Sequence, residues 1–160
     1  MRARHVPSGP RRQPLSHMVH MGLARGASGG SGASDDSNNR GRQMGRLTTH
    51  VLDTAAGTPG KDLAITLFKI VDNRRQPIAT VRTNHDGRCD APLLEGEALQ
   101  AGIYELDFAV GDYYRAAGVR LPEPAFLDVV TLRFGVADPG AHYHVPLLVS
   151  PWSYSTYRGS

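Results

Sequence analysis

A single cysteine, Cys89, stands in the whole chain, which excludes an intrachain disulfide and any metal site built on several thiolates. A reducing compartment is thereby permitted but not required. Long apolar runs are also missing. No stretch approaches the roughly 18 to 20 consecutive apolar residues that span a bilayer, so a membrane partner is not expected. From Met44 onward there is no Gly-x-Ser-x-Gly elbow, phosphate-binding loop or dinucleotide fingerprint, which removes three common ways of building an active site. At 160 residues the chain has room for one domain of ordinary size with some residues to spare.

The formal charge of +3 and pI near 9.3 would suggest a polyanionic partner if the charge sat on the folded part. It does not. Residues 1–43 hold seven Arg against Asp35 and Asp36, a net +5, whereas residues 44–160 carry a net −2. No nucleic-acid partner is therefore expected. The same 43 residues are rich in Gly, Ser, Arg and Asn and poor in branched apolar side chains, so they cannot bury enough surface to offset their ordering entropy. They are read as a disordered leader, with Met44 as an alternative translation start. The pair Arg11-Arg12 followed by Leu15 to Met21 resembles a twin-arginine export signal, but two histidines interrupt the apolar stretch and no small-residue cleavage pattern follows. The expected location is cytoplasmic, with the periplasm as the alternative.

From Arg46 the apolar spacing becomes that of strands. Leu63 to Val71 and Gln76 to Val81 predict a hairpin across Asp72-Asn73-Arg74-Arg75. In the next strand Tyr104, Leu106, Phe108 and Val110 share one face, with Glu105 and Asp107 on the other. Leu127 to Phe134 repeats that pattern. Between them, Gly111 to Gly118 is the one helix candidate, capped at Asp112 and ended at Gly118. Seven to eight short, mostly antiparallel strands and one short helix predict an all-β sandwich.

Polar residues fall on defined faces of this pattern. In Arg46 to Asp53, Leu47, Thr49 and Val51 lie on one side and His50 on the other. In His142 to Val149, Tyr143, Val145, Leu147 and Val149 face the core, so His142 and His144 project together from the opposite face. Two such imidazoles can bind a metal, carry protons or simply decorate a surface. Arg88 closes a tight turn in which Asp86-Gly87 supplies the pair that tolerates positive φ. Cys89 follows Arg88 directly, but neighbours in an extended strand point to opposite faces. The two are not expected to share a site, and Cys89 is not expected to be a nucleophile.

The segments Leu47-Thr48-Thr49-His50-Val51-Leu52-Asp53, Thr83-Asn84-His85-Asp86-Gly87-Arg88, Gly111-Asp112-Tyr113-Tyr114, His142 to Leu148 and Tyr154 to Ser160 together resemble the 5-hydroxyisourate hydrolases, the transthyretin-related proteins. They occur in the family's order and spacing and cover nearly everything after Met44. The final Tyr157-Arg158-Gly159-Ser160 is the most specific part, since transthyretin, the hormone carrier of the same fold, lacks that ending and the catalytic histidines. Phe126 departs from the pattern as a single Phe where an aromatic pair is common. The resemblance implies a transthyretin-like domain over residues 45–160. It implies hydrolysis of 5-hydroxyisourate to 2-oxo-4-hydroxy-4-carboxy-5-ureidoimidazoline in urate (purine) catabolism, without metal or organic cofactor. It carries over His50, Arg88, His144 and Ser160 as catalytic and His50, Arg88 and Tyr157 as substrate-binding, in a homotetramer whose sites line the channel between two dimers. The alternatives are a small-molecule carrier without catalysis, a purely structural or adhesive sandwich, and a metal-dependent hydrolase with His142, His144 and His50 as ligands.

Overall fold

In the computed structural model, residues 44–159 are described; the leader, its Arg11-Arg12 pair and the terminal Ser160 lie outside them. Eleven strand segments and one α-helix follow in chain order: β1 (Arg46–Thr48), β2 (Val51–Asp53), β3 (Thr58–Pro59), β4 (Ala64–Val71), β5 (Arg74–Arg82), β6 (Leu94–Glu95), β7 (Gly102–Ala109), α1 (Val110–Ala116), β8 (Val129–Val136), β9 (His142–His144), β10 (Leu147–Val149) and β11 (Tyr154–Ser155). The all-β sandwich with a single short helix is thus observed. The segments are numerous because three have two residues and because β1/β2 and β9/β10 are each one strand run with a short break.

One layer is the antiparallel sheet β5-β4-β7-β8. The other is built around the parallel pairs β1 with β9 and β2 with β10, flanked by β6, β3 and β11. The parallel pairing runs through the breaks, since Val145 N–H donates to Thr48 O at 2.9 Å and Leu147 N–H to His50 O at 2.8 Å. The two layers share one apolar core. Leu47, Val51, Leu147 and Val149 from the second layer meet Ile65, Leu67, Leu106, Phe108 and Val130 from the first. Each fully buried Leu or Phe contributes about 1.5–3 kcal/mol through removal from water. Alternation therefore reads correctly on both runs: Leu47, Thr49, Val51 and Asp53 are buried, while Thr48 and His50 turn outward and remain half-buried.

Two local readings are corrected. The hairpin loop is Asp72-Asn73 alone, with φ of 50° and 59°, the left-handed pair of a two-residue turn. Arg74 and Arg75 belong to β5, where Arg75 pairs with Glu105 and Asp107 on the outer face of β7. Such cross-strand partners turn an apparent loop composition into strand. The helix begins one residue before the expected span, from Ala109 as cap and without a side-chain capping bond. Asp112 instead accepts from Arg115 at 3.1 Å within the first turns.

The helix is tied to the second layer through Asp53. This buried carboxylate, 3% exposed, accepts from Tyr113 and Tyr114 hydroxyls at 3.0 and 2.9 Å and from the Ala55 and Ala56 amides. Burial and the Asp53 bond hold the Tyr113 hydroxyl up to about 12 and raise that of Tyr114 as well. Both phenols stay protonated donors. No helix among the described residues is long and apolar enough to cross a membrane.

Candidate active site

Residues 84–88 bring Arg88 to β1/β2. Asn84 caps the turn, its side-chain oxygen accepting from the Asp86 and Arg88 amides. Gly87 has φ of 71°, and a Cβ there would lie 2.3 Å from Val51 O, so the turn closes against the strand only with glycine. The next residue, Arg88, then pairs with His50 in an antiparallel bridge. Across the parallel pairing, Arg46 stands opposite His142 and Thr48 opposite His144.

The outward faces of these segments line an open cleft of about 550 Å³ that includes Arg46, Thr48, Arg88, His142, His144 and Tyr157. His50 is not among the lining residues, yet it bridges Arg88, whose charge acts on its ring, and it acts in turn on His144. The structure therefore gathers His50, Arg88, His144 and Tyr157, segments separated by up to 107 positions in sequence. Ser160 lies outside the described residues. Cys89 and Asp90 also border the cleft, but Cys89 packs against the core while Arg88 is exposed, as strand alternation predicts. Burial, with help from Asp90, pushes the Cys89 thiol up, so it is a protonated thiol and a poor nucleophile.

All three histidines of the cleft region are held below the ordinary imidazole range. For His144 the cause is burial first, then the positive field of Arg88, with smaller contributions from His50 and His142. For His50 it is burial and Arg88, partly opposed by Asp86; for His142, burial and Arg46. Near neutral pH these rings are uncharged, the form that accepts a proton. The group thus contains neutral bases beside an arginine, which suits attack of water on an anionic substrate whose charge grows in the transition state. Among the described residues no three His, Cys, Asp or Glu side chains stand close enough together to hold a metal ion, so His50, His142 and His144 do not form a ligand set.

Thr48 was not singled out in the sequence. Its hydroxyl lies 2.9 Å from His144 Nδ1 and 3.0 Å from His142 Nε2, between the two rings. The available signal was parity, because Thr48 lies two residues from His50 and shares its face.

The tail completes the cleft. β11 pairs with β10 at Leu148–Ser155 and Val149–Tyr154, and the same register resumes at His144–Gly159. Pro146 falls opposite Tyr157 in that register and has no N–H to donate. The tail is held there instead by Thr156 Oγ1 donating to Pro146 O at 2.7 Å. Tyr157 remains 59% exposed in the single chain, on the rim of the cleft.

The profile of the HIUase/Transthyretin family matches residues 47–159. Over 117 residues, 73% of this chain and 100% of the relative, the sequence is 94% identical to the 5-hydroxyisourate hydrolase of Ralstonia nicotianae. The structure is similar to that of Klebsiella pneumoniae 5-hydroxyisourate hydrolase, with TM-score 0.61 and 30% identity over 72% of this chain and 99% of that one. It is also similar to sea bream transthyretin in complex with thyroxine, with TM-score 0.64 and 29% identity over 71% and 94% of the two chains.

Proposed function

The chain belongs to the HIUase/transthyretin family, and from that premise we propose that it is a hydrolase that opens the six-membered ring of 5-hydroxyisourate in urate breakdown. Water adds to a ring carbonyl, and the carbonyl–nitrogen bond breaks. The observation that carries the reading is the meeting of Arg88 with the uncharged His50 and His144 under a tail that pairs with His144. A carrier needs shape and apolar contact, and has no evident use for two neutral bases beside an arginine. The 94% identity to a hydrolase, against 29% to a thyroxine-bound carrier, points the same way.

In this reading Arg88 holds the anionic substrate and the negative charge that develops on the attacked carbonyl. His50 and His144 divide removal of the water proton and its return to the leaving nitrogen. Tyr157 contacts substrate from the rim, and Ser160 orients substrate or water from the end of the tail. The catalytic domain of 45–160 works as a cytoplasmic homotetramer with its sites in the channel between dimers. The test is the decay of 5-hydroxyisourate generated by urate oxidase. Catalytic amounts of the protein accelerate it; unaccelerated decay contradicts the reading.

A further inference from the structure

The Thr48 hydroxyl has one proton, and it lies within hydrogen-bond distance of two imidazole nitrogens, His144 Nδ1 at 2.9 Å and His142 Nε2 at 3.0 Å. It can donate to only one of them. Satisfying both contacts therefore requires the other ring to donate its own N–H to Oγ1. Two arrangements meet this condition when both rings are neutral. In the first, His142 donates, Thr48 donates to His144 Nδ1, and His144 carries its proton on Nε2. In the second, His144 donates from Nδ1, Thr48 donates to His142 Nε2, and His144 Nε2 keeps a free lone pair. The tautomer of His144 is thus tied to the state of His142 through one hydroxyl, and only the second arrangement leaves His144 able to take a proton at the nitrogen not bound to Thr48.

The field around the ring selects between them. Arg88 and His50 act on His144, Arg46 acts on His142, and Asp90, Cys89 and Tyr157 line the same cleft. With Nδ1 committed to Thr48, Nε2 is the nitrogen left free, and the charge of Arg88 acting on the ring favours a lone pair there over an N–H; Arg46 pulls the opposite way on His142, but that ring is the less buried of the two and the charge is better screened there. We propose that His142 is a positioning residue that acts through Thr48 to hold His144 with Nδ1 protonated and Nε2 free, making His144 the base of the reaction. This deepens the hydrolase reading and rests on it. The proton balance closes: water gives its proton to His144 Nε2, hydroxide adds to the carbonyl carbon, and the same proton is returned to the leaving nitrogen. Protonating His142 reverses the chain, because an imidazolium can only donate to Thr48. His144 then accepts at Nδ1 and loses its free Nε2.

The experiment is ¹⁵N-histidine NMR of the full chain, which reads the tautomer of each ring without substrate, together with the rate of 5-hydroxyisourate hydrolysis. The expected native signature is Nδ1–H for His144 at pH 7 to 8, converting to Nε2–H as His142 protonates. Thr48→Val removes the hydroxyl at nearly constant shape, and His142→Phe removes the acceptor. Each is expected to erase the Nδ1–H preference and lower kcat about tenfold or more, with KM little changed, within the range for misplacing a general base. Thr48→Ser and His142→Gln restore a hydroxyl and an acceptor, and both recover the tautomer and most of kcat; in His142→Gln the low-pH conversion of His144 to Nε2–H is lost, while the acid limb set by His50 and His144 stays. An Nε2–H tautomer in the native protein, or an unchanged tautomer in a folded Thr48→Val or His142→Phe protein, overturns the proposal while leaving hydrolysis by the native protein intact. Absence of hydrolysis by the native protein instead overturns the hydrolase reading, and appears before any variant is made.

Discussion

Gly159 is paired with His144 by two backbone hydrogen bonds, 2.8 Å from Gly159 N–H to His144 O and 3.3 Å in the reverse direction. The pairing lays the carboxyl-terminal tail against the histidine it is proposed to assist. A Cβ on Gly159 would sit 2.9 Å from His144 Cδ2 and 3.0 Å from its Cβ, closer than real contacts allow. Glycine is therefore required here by the neighbouring ring rather than by a turn.

Gly159→Ala is expected to push the tail or the His144 ring aside while leaving the sandwich folded, because the contact lies outside the core. The expected result is a kcat/KM lower by about tenfold or more with an unchanged urea midpoint. Full activity would show that the tail does not set the ring. Extending the chain beyond Ser160 is expected to impair activity in the same way.

Arg88→Ala is expected to lower kcat/KM by about 10² to 10³, the usual cost of losing one group that stabilises developing negative charge. Arg88→Lys should recover only part, since an ammonium lacks the planar fork. Steady-state kinetics with secondary structure checked by circular dichroism decides this. Equal activity of the Lys variant would reduce Arg88 to a point charge.

The pH dependence follows from the direction of the histidine shifts. His50 and His144 are depressed by burial and by Arg88, so the neutral, proton-accepting form persists below the reference value of about 6.5. The acid limb of kcat/KM is expected below that value, with activity lost as pH falls through it. Removing the positive field in Arg88→Ala should move both titrations upward, as read by NMR. A native limb above about 7 contradicts the assignment.

Asp53 is a stability residue. Its buried carboxylate accepts from two tyrosine hydroxyls and two amides, and Asp53→Ala strands those donors. A loss of about 2–4 kcal/mol in urea unfolding is expected, and less for Asp53→Asn, which keeps one acceptor oxygen. A change under about 0.5 kcal/mol would mean that water replaces the carboxylate.

Much of this was legible because strand parity is a local property. Leu47, Thr49 and Val51 opposite His50, and Tyr143 and Val145 opposite His142 and His144, follow from alternation alone, and their burial agrees. The Asp86-Gly87 turn was legible from φ preference. What escaped depends on partners distant in sequence. Arg75 reads as loop until Glu105 and Asp107 are beside it. Thr48 is one more strand threonine until the parallel register sets it opposite His144, 96 residues away.

The central claim is tested most directly by following 5-hydroxyisourate, made in place by urate oxidase, in the presence of the native chain at a small fraction of the substrate concentration, alongside a folded His144→Asn protein. The account predicts many turnovers by the native chain and near-spontaneous decay with the variant. Decay at the spontaneous rate with both proteins would contradict it.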